Sequence, residues 1–352
     1  MRLFIVAGFL IVIILIFGLP SYAFDPCDEV TANDLTISDE CLALIEDFPE
    51  PLVEEIPLDG YTLSEYRFWR VGPHAVNLYD TPGGSIVGQI AEGFNFVRAI
   101  DTSVEGWIQS AGGQWLSRSD ARPVEPSYFR GVLLPNGLED QFAWILDKTG
   151  IYTSEYPGGP PSEETGRVPR RYERVNIFAE AVDMEGWTWY MIGPHQWVNQ
   201  RFVGVVKPVE RPEGVQGRWV VIDQYEQTLV SYEDDIPVFA TLVSTGLPDW
   251  DTNEGLFTVW ARVVSDGMSG ATGAPDAYAL QSVPWVMYFD EDISLHGTYW
   301  HDDFGYRRSH GCVNLSISDS HYLFEWADET TPDENGGIVT YVYVYSSGVY
   351  SD

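Results

Sequence analysis

The chain has 352 residues, more than one ordinary hydrophobic core accommodates, so two or three domains are expected. Hydrophobic residues make up 45%, which excludes global disorder. The 53 acidic against 19 basic side chains give a formal charge of −34, and such a surface repels phosphate backbones, so nucleic acid is excluded as a partner.

In chain order, Arg2 precedes an apolar run from Leu3 to Leu19, which ends at Pro20-Ser21-Tyr22-Ala23. Small residues at Ser21 and Ala23 fit a signal-peptidase site, so residues 1–23 are expected to be a signal peptide, with an uncleaved anchor as the alternative. Either way the folded part lies outside the cytoplasm. Residues 24–62 are acidic, carry Pro49, Pro51 and Pro57, and predict a linker holding one short helix near Ser38–Phe48, capped by Ser38. Cys27 and Cys41 lie close together here and are candidates for a disulfide.

A repeat follows. Val76-Asn77-Leu78-Tyr79 through Thr81-Pro82-Gly83-Gly84 is echoed by Ile151-Tyr152-Thr153 through Tyr156-Pro157-Gly158-Gly159. Glu105-Gly106-Trp107 leading to Gln114-Trp115 is echoed by Glu185-Gly186-Trp187 leading to Gln196-Trp197. Alternating apolar runs broken by Pro-Gly and Gly-Gly turns predict two small β-barrels, over 63–126 and 127–208. Both resemble bacterial SH3-like modules, and that resemblance implies wall glycan or peptide as ligand. The simpler reading of the four tryptophans is that they fill the barrel cores.

Residues 209–216 are a Pro- and charge-rich link. Beyond it, strands are expected at Arg218–Asp223, Gln227–Tyr232, Val238–Ser244, Gly255–Val264, Trp285–Phe289 and Ile338–Tyr345, with one helix from Ser318 to Ala327 capped by Ser318 or Asp319. The fold class is therefore mostly β, with a catalytic domain over 217–346 and a tail at 347–352.

The chemistry concentrates in that last domain. His296-Gly297-Thr298 is followed by Ser309-His310-Gly311-Cys312-Val313-Asn314, and four of the six histidines, His296, His301, His310 and His321, fall within residues 296–321 with the odd cysteine. A thiolate is the nucleophile, and a nearby imidazole can take its proton. His310 lies two residues before Cys312, so on a strand the two share a face. Gly297 and Gly311 permit close backbone approach, and amides near Gly311 and Cys312 are candidates to stabilise an oxyanion. Zinc ligation by His296, His301, His310 and Cys312 is the competing reading, but no paired Cys-x-x-Cys accompanies it.

This pairing of HG with SHGCVN resembles the catalytic signature of the L,D-transpeptidase, or YkuD-type, family. Ser244-Thr245-Gly246 resembles its S-x-G turn, and Thr252-Asn253-Glu254-Gly255-Leu256-Phe257 stands where the family carries T-P-x-G-x-F, without the proline. The resemblance implies a β-sandwich domain that acts on peptidoglycan stem peptides. Cys312 would attack the carbonyl between the third-position diamino acid and D-alanine and pass the thioester to an amine, giving 3→3 cross-links. His296 is the implied base, Gly297 its orienter through the backbone carbonyl, and His310 the support of the thiolate. Ser309 and Asn314 are assigned to the pocket, and Tyr299, Trp300 and Arg308 of the intervening insert to the substrate groove. Local pairing of the insert's arginines with Asp302 and Asp303 is equally compatible. No cofactor and no metal are called for. Hydrolysis by water, anchoring of a protein, and a non-catalytic wall-binding protein are the alternatives.

Overall fold

The structure, a computed structural model, describes residues 26–32, 34–138, 141–164, 166–271, 277–328 and 340–349. The expected signal peptide lies outside them.

The described chain is mostly β. One seven-stranded sheet runs in the order Glu54–Glu55, Val132–Leu133, Ile236–Leu242, Thr228–Glu233, Arg218–Asp223, Tyr341–Tyr345, Gly255–Thr258. All neighbours are antiparallel except Arg218–Asp223 with Tyr341–Tyr345. The run Trp219-Val220-Val221-Ile222 is apolar without alternation because both faces of this sheet are covered. Val220, Ile222, Leu229, Phe239, Val342 and Val344 meet Leu295, Val313, Leu315 and Leu323 on one side. On the other, Trp219, Val221, Val230, Tyr232 and Leu242 meet Phe129, Phe142, Trp144 and Val206. Each such fully buried side chain contributes roughly 1.5–3 kcal/mol of transfer free energy.

The second sheet carries Val313–Leu315, Ile293–Gly297 and Tyr278–Asp290, and then continues into Phe94–Asp101 and the other strands of the first repeat. The join is parallel, with Tyr278 opposite Phe94 and Leu280 opposite Phe96. Ala261–Gly270 pairs with Tyr278–Asp290 to make a long hairpin. The sequence predicts only the segment Trp285–Phe289 of its second arm, because the distal half is polar and lacks a clean alternation.

The second repeat forms two three-stranded sheets, one from Arg174–Asn176, Phe142–Ile145 and Val203–Val206, the other from Ala179–Val182, Thr188–Gly193 and Gln196–Asn199. Of the four repeated tryptophans only Trp197 is fully buried; Trp107, Trp115 and Trp187 are half-exposed, and Arg201 stacks over Trp187.

Two domain bounds need correction. Residues 53–62 are not a free linker. Glu54–Glu55 pairs with Val132–Leu133, Ile56 is buried in the main core, and Asp59 reaches Trp285 Nε1 at 2.9 Å and His321 Nδ1 at 3.2 Å. Residues near 130 likewise belong to the catalytic sheet, since Val132–Leu133 also pairs with Ile236–Leu242. The reason in both cases is a tertiary partner far along the chain, which local composition does not display. Helix Asp39–Asp47 is capped by Ser38, whose hydroxyl accepts from Cys41 N–H, and Cys27 is joined to Cys41 by a disulfide. The later helix runs Ile317–Asp328. Ser316 Oγ, not Ser318 or Asp319, accepts from the first turn, because Ser318 Oγ is taken by Asp59 N–H and the Asp319 carboxylate by Gly131 N–H and Thr241 Oγ1.

Candidate active site

The site is built where Ile293–Gly297 and Val313–Leu315 run parallel, with His296 opposite Asn314. Side chains two apart on a strand share a face, so Ser294 and His296 stand on the same side, with Asn314 beside His296 on the neighbouring strand. The contact of Ser294 Oγ with Cys312 Sγ at 3.7 Å brings Cys312, in the bend just before that strand, to the same side. Cys312 is half-buried and also touches the carbonyl of Asp292 at 3.8 Å. Burial pushes the thiol above its ordinary value, and a hydrogen bond from Ser294 opposes that.

His296 is fully buried, which holds its pKa down to about 4. Its Nδ1 lies 3.3 Å from the carbonyl of Gly297. A carbonyl only accepts, so Nδ1 carries the hydrogen and Nε2 is bare. The thiol's hydrogen-bond contacts are thus Ser294 and Asp292, and the imidazole rests as a neutral tautomer with an open lone pair. His310 sits between two rings, Trp250 at 4.8 Å and Tyr278 at 5.2 Å.

The loop ahead of Cys312 is held by several local bonds. Gly311 adopts φ 111°, a left-handed conformation in which a side chain would be strained. Its N–H donates to Ser309 Oγ at 3.1 Å, and Ser309 Oγ donates in turn to the Cys312 carbonyl. Thr252 Oγ1 donates to the Gly311 carbonyl at 2.7 Å while accepting from Gly246 N–H at 3.0 Å. Ser244 and Asn314 exchange main-chain bonds at 2.9 Å each, which straps the S-x-G turn to the strand that follows Cys312.

Several assigned roles change on this geometry. Ser309 does not face the groove, because its hydroxyl is spent on the turn. The Gly311 N–H is committed to the same hydroxyl and is not free for an oxyanion. Tyr299 is fully buried, stacked on Phe68 at 3.7 Å with its hydroxyl donating to the Gln281 carbonyl at 2.7 Å, so it joins the catalytic domain to the first repeat instead of lining a groove. Arg308 pairs with Asp303 at 3.0 Å, the local pairing, whereas Arg307 pairs with Asp251 at 3.4 Å, far along the chain, and Asp302 is taken by Arg171 at 2.9 Å. Trp300 remains beside the site, 5.6 Å from the His296 ring.

Other neighbours were given no part in acyl transfer by the sequence. Ser294 was legible in principle, as the residue two before His296 on one strand. His301, whose Nε2 lies 2.9 Å from Asn314 Nδ2, had only its place in the histidine cluster to mark it. Thr252 opens the T-x-x-G-x-F stretch, which marks a turn but not its partner, while Trp250 and Tyr278 come from distant segments and carry no local signal.

Residues 217–338 match the family profile described as YkuD, the L,D-transpeptidase catalytic domain. Among solved structures, an L,D-transpeptidase from Stackebrandtia nassauensis is 27% identical over 38% of this chain and 58% of its own, with a TM-score of 0.30. One from Xylanimonas cellulosilytica is 26% identical over 38% and 63%, with a TM-score of 0.27. The catalytic domain of the Enterococcus faecium enzyme is 22% identical over 38% and 99%, with a TM-score of 0.31. The chain thus spans less than two thirds of the first two of these proteins. No curated protein matches it. The C-terminal part of the chain, at 217–338, is a YkuD-type L,D-transpeptidase catalytic domain.

Proposed function

We propose that this protein is an exported cysteine L,D-transpeptidase acting on peptidoglycan. The observation that carries the reading is the half-buried Cys312 within a YkuD domain, on the same sheet face as a neutral imidazole whose Nε2 is bare. Cys312 Sγ attacks the carbonyl carbon between the third-position diamino acid and D-alanine. The thiol proton passes to His296 Nε2 as the S–C bond forms, and then to the departing amine as the C–N bond breaks. The thioester left behind is attacked by the side-chain amine of a second stem, the C–S bond breaks, and the thiol is restored. Splitting the transfer into two steps lowers each barrier. A burial-raised thiol and a burial-lowered imidazole favour transfer of the proton during attack, not a standing ion pair.

The signal-peptide reading of residues 1–23 and the disulfide between Cys27 and Cys41 support an extracytoplasmic location, where disulfides persist. The two repeats are inferred to be SH3-like modules that hold the wall polymer.

The test is incubation of purified protein with tetrapeptide stems, read by mass spectrometry. Wild type is expected to give a thioester adduct and cross-linked dimers, and Cys312→Ala neither, with a loss of at least about 10³-fold. Tripeptide monomers without dimers would assign the thioester to hydrolysis. Equal turnover by Cys312→Ala would overturn the cysteine mechanism.

A further inference from the structure

His301 lies in the insert between the two halves of the site and is half-buried. Burial holds its pKa down to about 3, so the imidazole is neutral at working pH. A neutral imidazole has one N–H and one bare nitrogen. Nδ1 is 3.1 Å from the main-chain N–H of Asp303, which can only donate. Nδ1 is therefore bare, and Nε2 carries the hydrogen.

That hydrogen points at Nδ2 of Asn314, 2.9 Å away, which sets two donors face to face. Asn314 Oδ1, meanwhile, is buried without a hydrogen-bond partner. One rotation removes the clash of donors and leaves a donor where the unpaired acceptor stood. A half-turn of the carboxamide leaves its shape almost unchanged. It brings Oδ1 onto the Nε2–H of His301 and carries the NH2 group to the position where the oxygen had no partner. Asn314 is beside His296, on the side to which the Ser294 contact brings Cys312, so the NH2 group stands on the nucleophile's side of the sheet. A donor without a protein partner there suits an acceptor-only group on the substrate, and peptide carbonyls are such groups.

We propose that His301 is a positioning residue: it holds the Asn314 carboxamide by its oxygen and so presents the NH2 group beside Cys312 as a donor to a main-chain carbonyl of the donor stem peptide. The substrate half of this proposal rests on the acyl-transfer reading above; the tautomer does not.

The first measurement is the ¹⁵N spectrum of the His301 ring in the intact protein at pH 7. A hydrogen on Nε2 with Nδ1 bare is expected, and a hydrogen on Nδ1 overturns the proposal. The second is the rate of thioester formation with a tetrapeptide stem. His301→Phe keeps the ring volume and is expected to lower kcat/KM by about 10- to 100-fold. His301→Gln restores an N–H near the Nε2 position and should recover to within about 5-fold. Asn314→Asp offers oxygens but no NH2 group and should fall as far as His301→Phe, with the double variant falling no further. Wild-type rates in His301→Phe, or additive losses in the double variant, overturn the role of His301. Absence of thioester in wild type overturns the acyl-transfer reading, and the substrate half of this proposal with it.

Discussion

The two repeats read alike in sequence, yet they attach to the catalytic domain in opposite ways. The first joins by its edge: Phe94–Asp101 extends the sheet that carries His296 and Cys312, and Phe68 and Phe96 close around Tyr299. The second joins by its face. On its strand Phe142–Ile145, Phe142 and Trp144 enter the catalytic core while Ala143 and Ile145 fill the module's own core. Edge attachment works through backbone hydrogen bonds and fixes direction, whereas face attachment works through apolar burial and mainly fixes stability. The first repeat also meets the hairpin strand whose Tyr278 ring lies against His310, so its attachment is coupled to the site.

Three substitutions put this contrast to the test. The largest effect is expected from Trp144→Ala, at the centre of the face-attached contact. Removing a fully buried indole should cost about 3–5 kcal/mol of unfolding free energy by denaturant titration. Turnover per folded molecule should stay near wild type, since the rings packed on Trp144 are Phe129 and Phe142 and not those of His296, His301 or His310. Gly93→Val attacks the edge attachment instead. A Cβ there would meet the Ala277 carbonyl at 2.5 Å, the same carbonyl that accepts from Phe94 N–H. A loss of about 1–3 kcal/mol is expected, together with a drop in acylation rate that Trp144→Ala does not show. Equal activity in the two variants would remove the distinction drawn here.

The third substitution concerns Asp319, whose buried carboxyl accepts from Gly131 N–H at 2.6 Å and Thr241 Oγ1 at 2.6 Å and so ties the junction between the repeats to the catalytic domain. Burial raises its pKa from 3.8 to about 7. A raised folded-state value means the unfolded chain gives up the proton first. The stabilisation is therefore present below about pH 4 and is lost as pH rises towards 7. Asp319→Asn should match wild type within about 1 kcal/mol at pH 4 and gain on it as pH rises, in paired thermal melts. A constant difference across that range would contradict the raised pKa.

Much of the site was legible because its chemistry is local in sequence. Cys312, His296, His310 and Asn314 stand in two short motifs, and the paired strands, with the bend before the second, place His296, Cys312 and Asn314 on one side. Roles were harder to read than positions. Ser309 and Tyr299 look like groove residues because they flank the motifs, but which way a hydroxyl or ring turns depends on partners elsewhere, the Cys312 carbonyl in one case and Phe68 in the other. The mostly-β class followed from alternating runs and turns. The burial of Ile56 and Asp59 did not, because an acidic, proline-bearing stretch has the composition of a linker whether or not something distant covers it.

The docking of that stretch also bears on how the chain reaches its final form. Asp59 N–H bonds to Ser318 Oγ, a contact spanning 259 positions, and its carboxylate meets Trp285 and His321. Contacts of such long range close late and slow the search for the native state. As the chain emerges N-terminus first, the repeats can gather their own cores early, but the segment threaded beneath them waits for nearly the last helix to be made. Maturation is thus completed from the far end, and a chain cut short before residue 318 would leave its beginning unsealed.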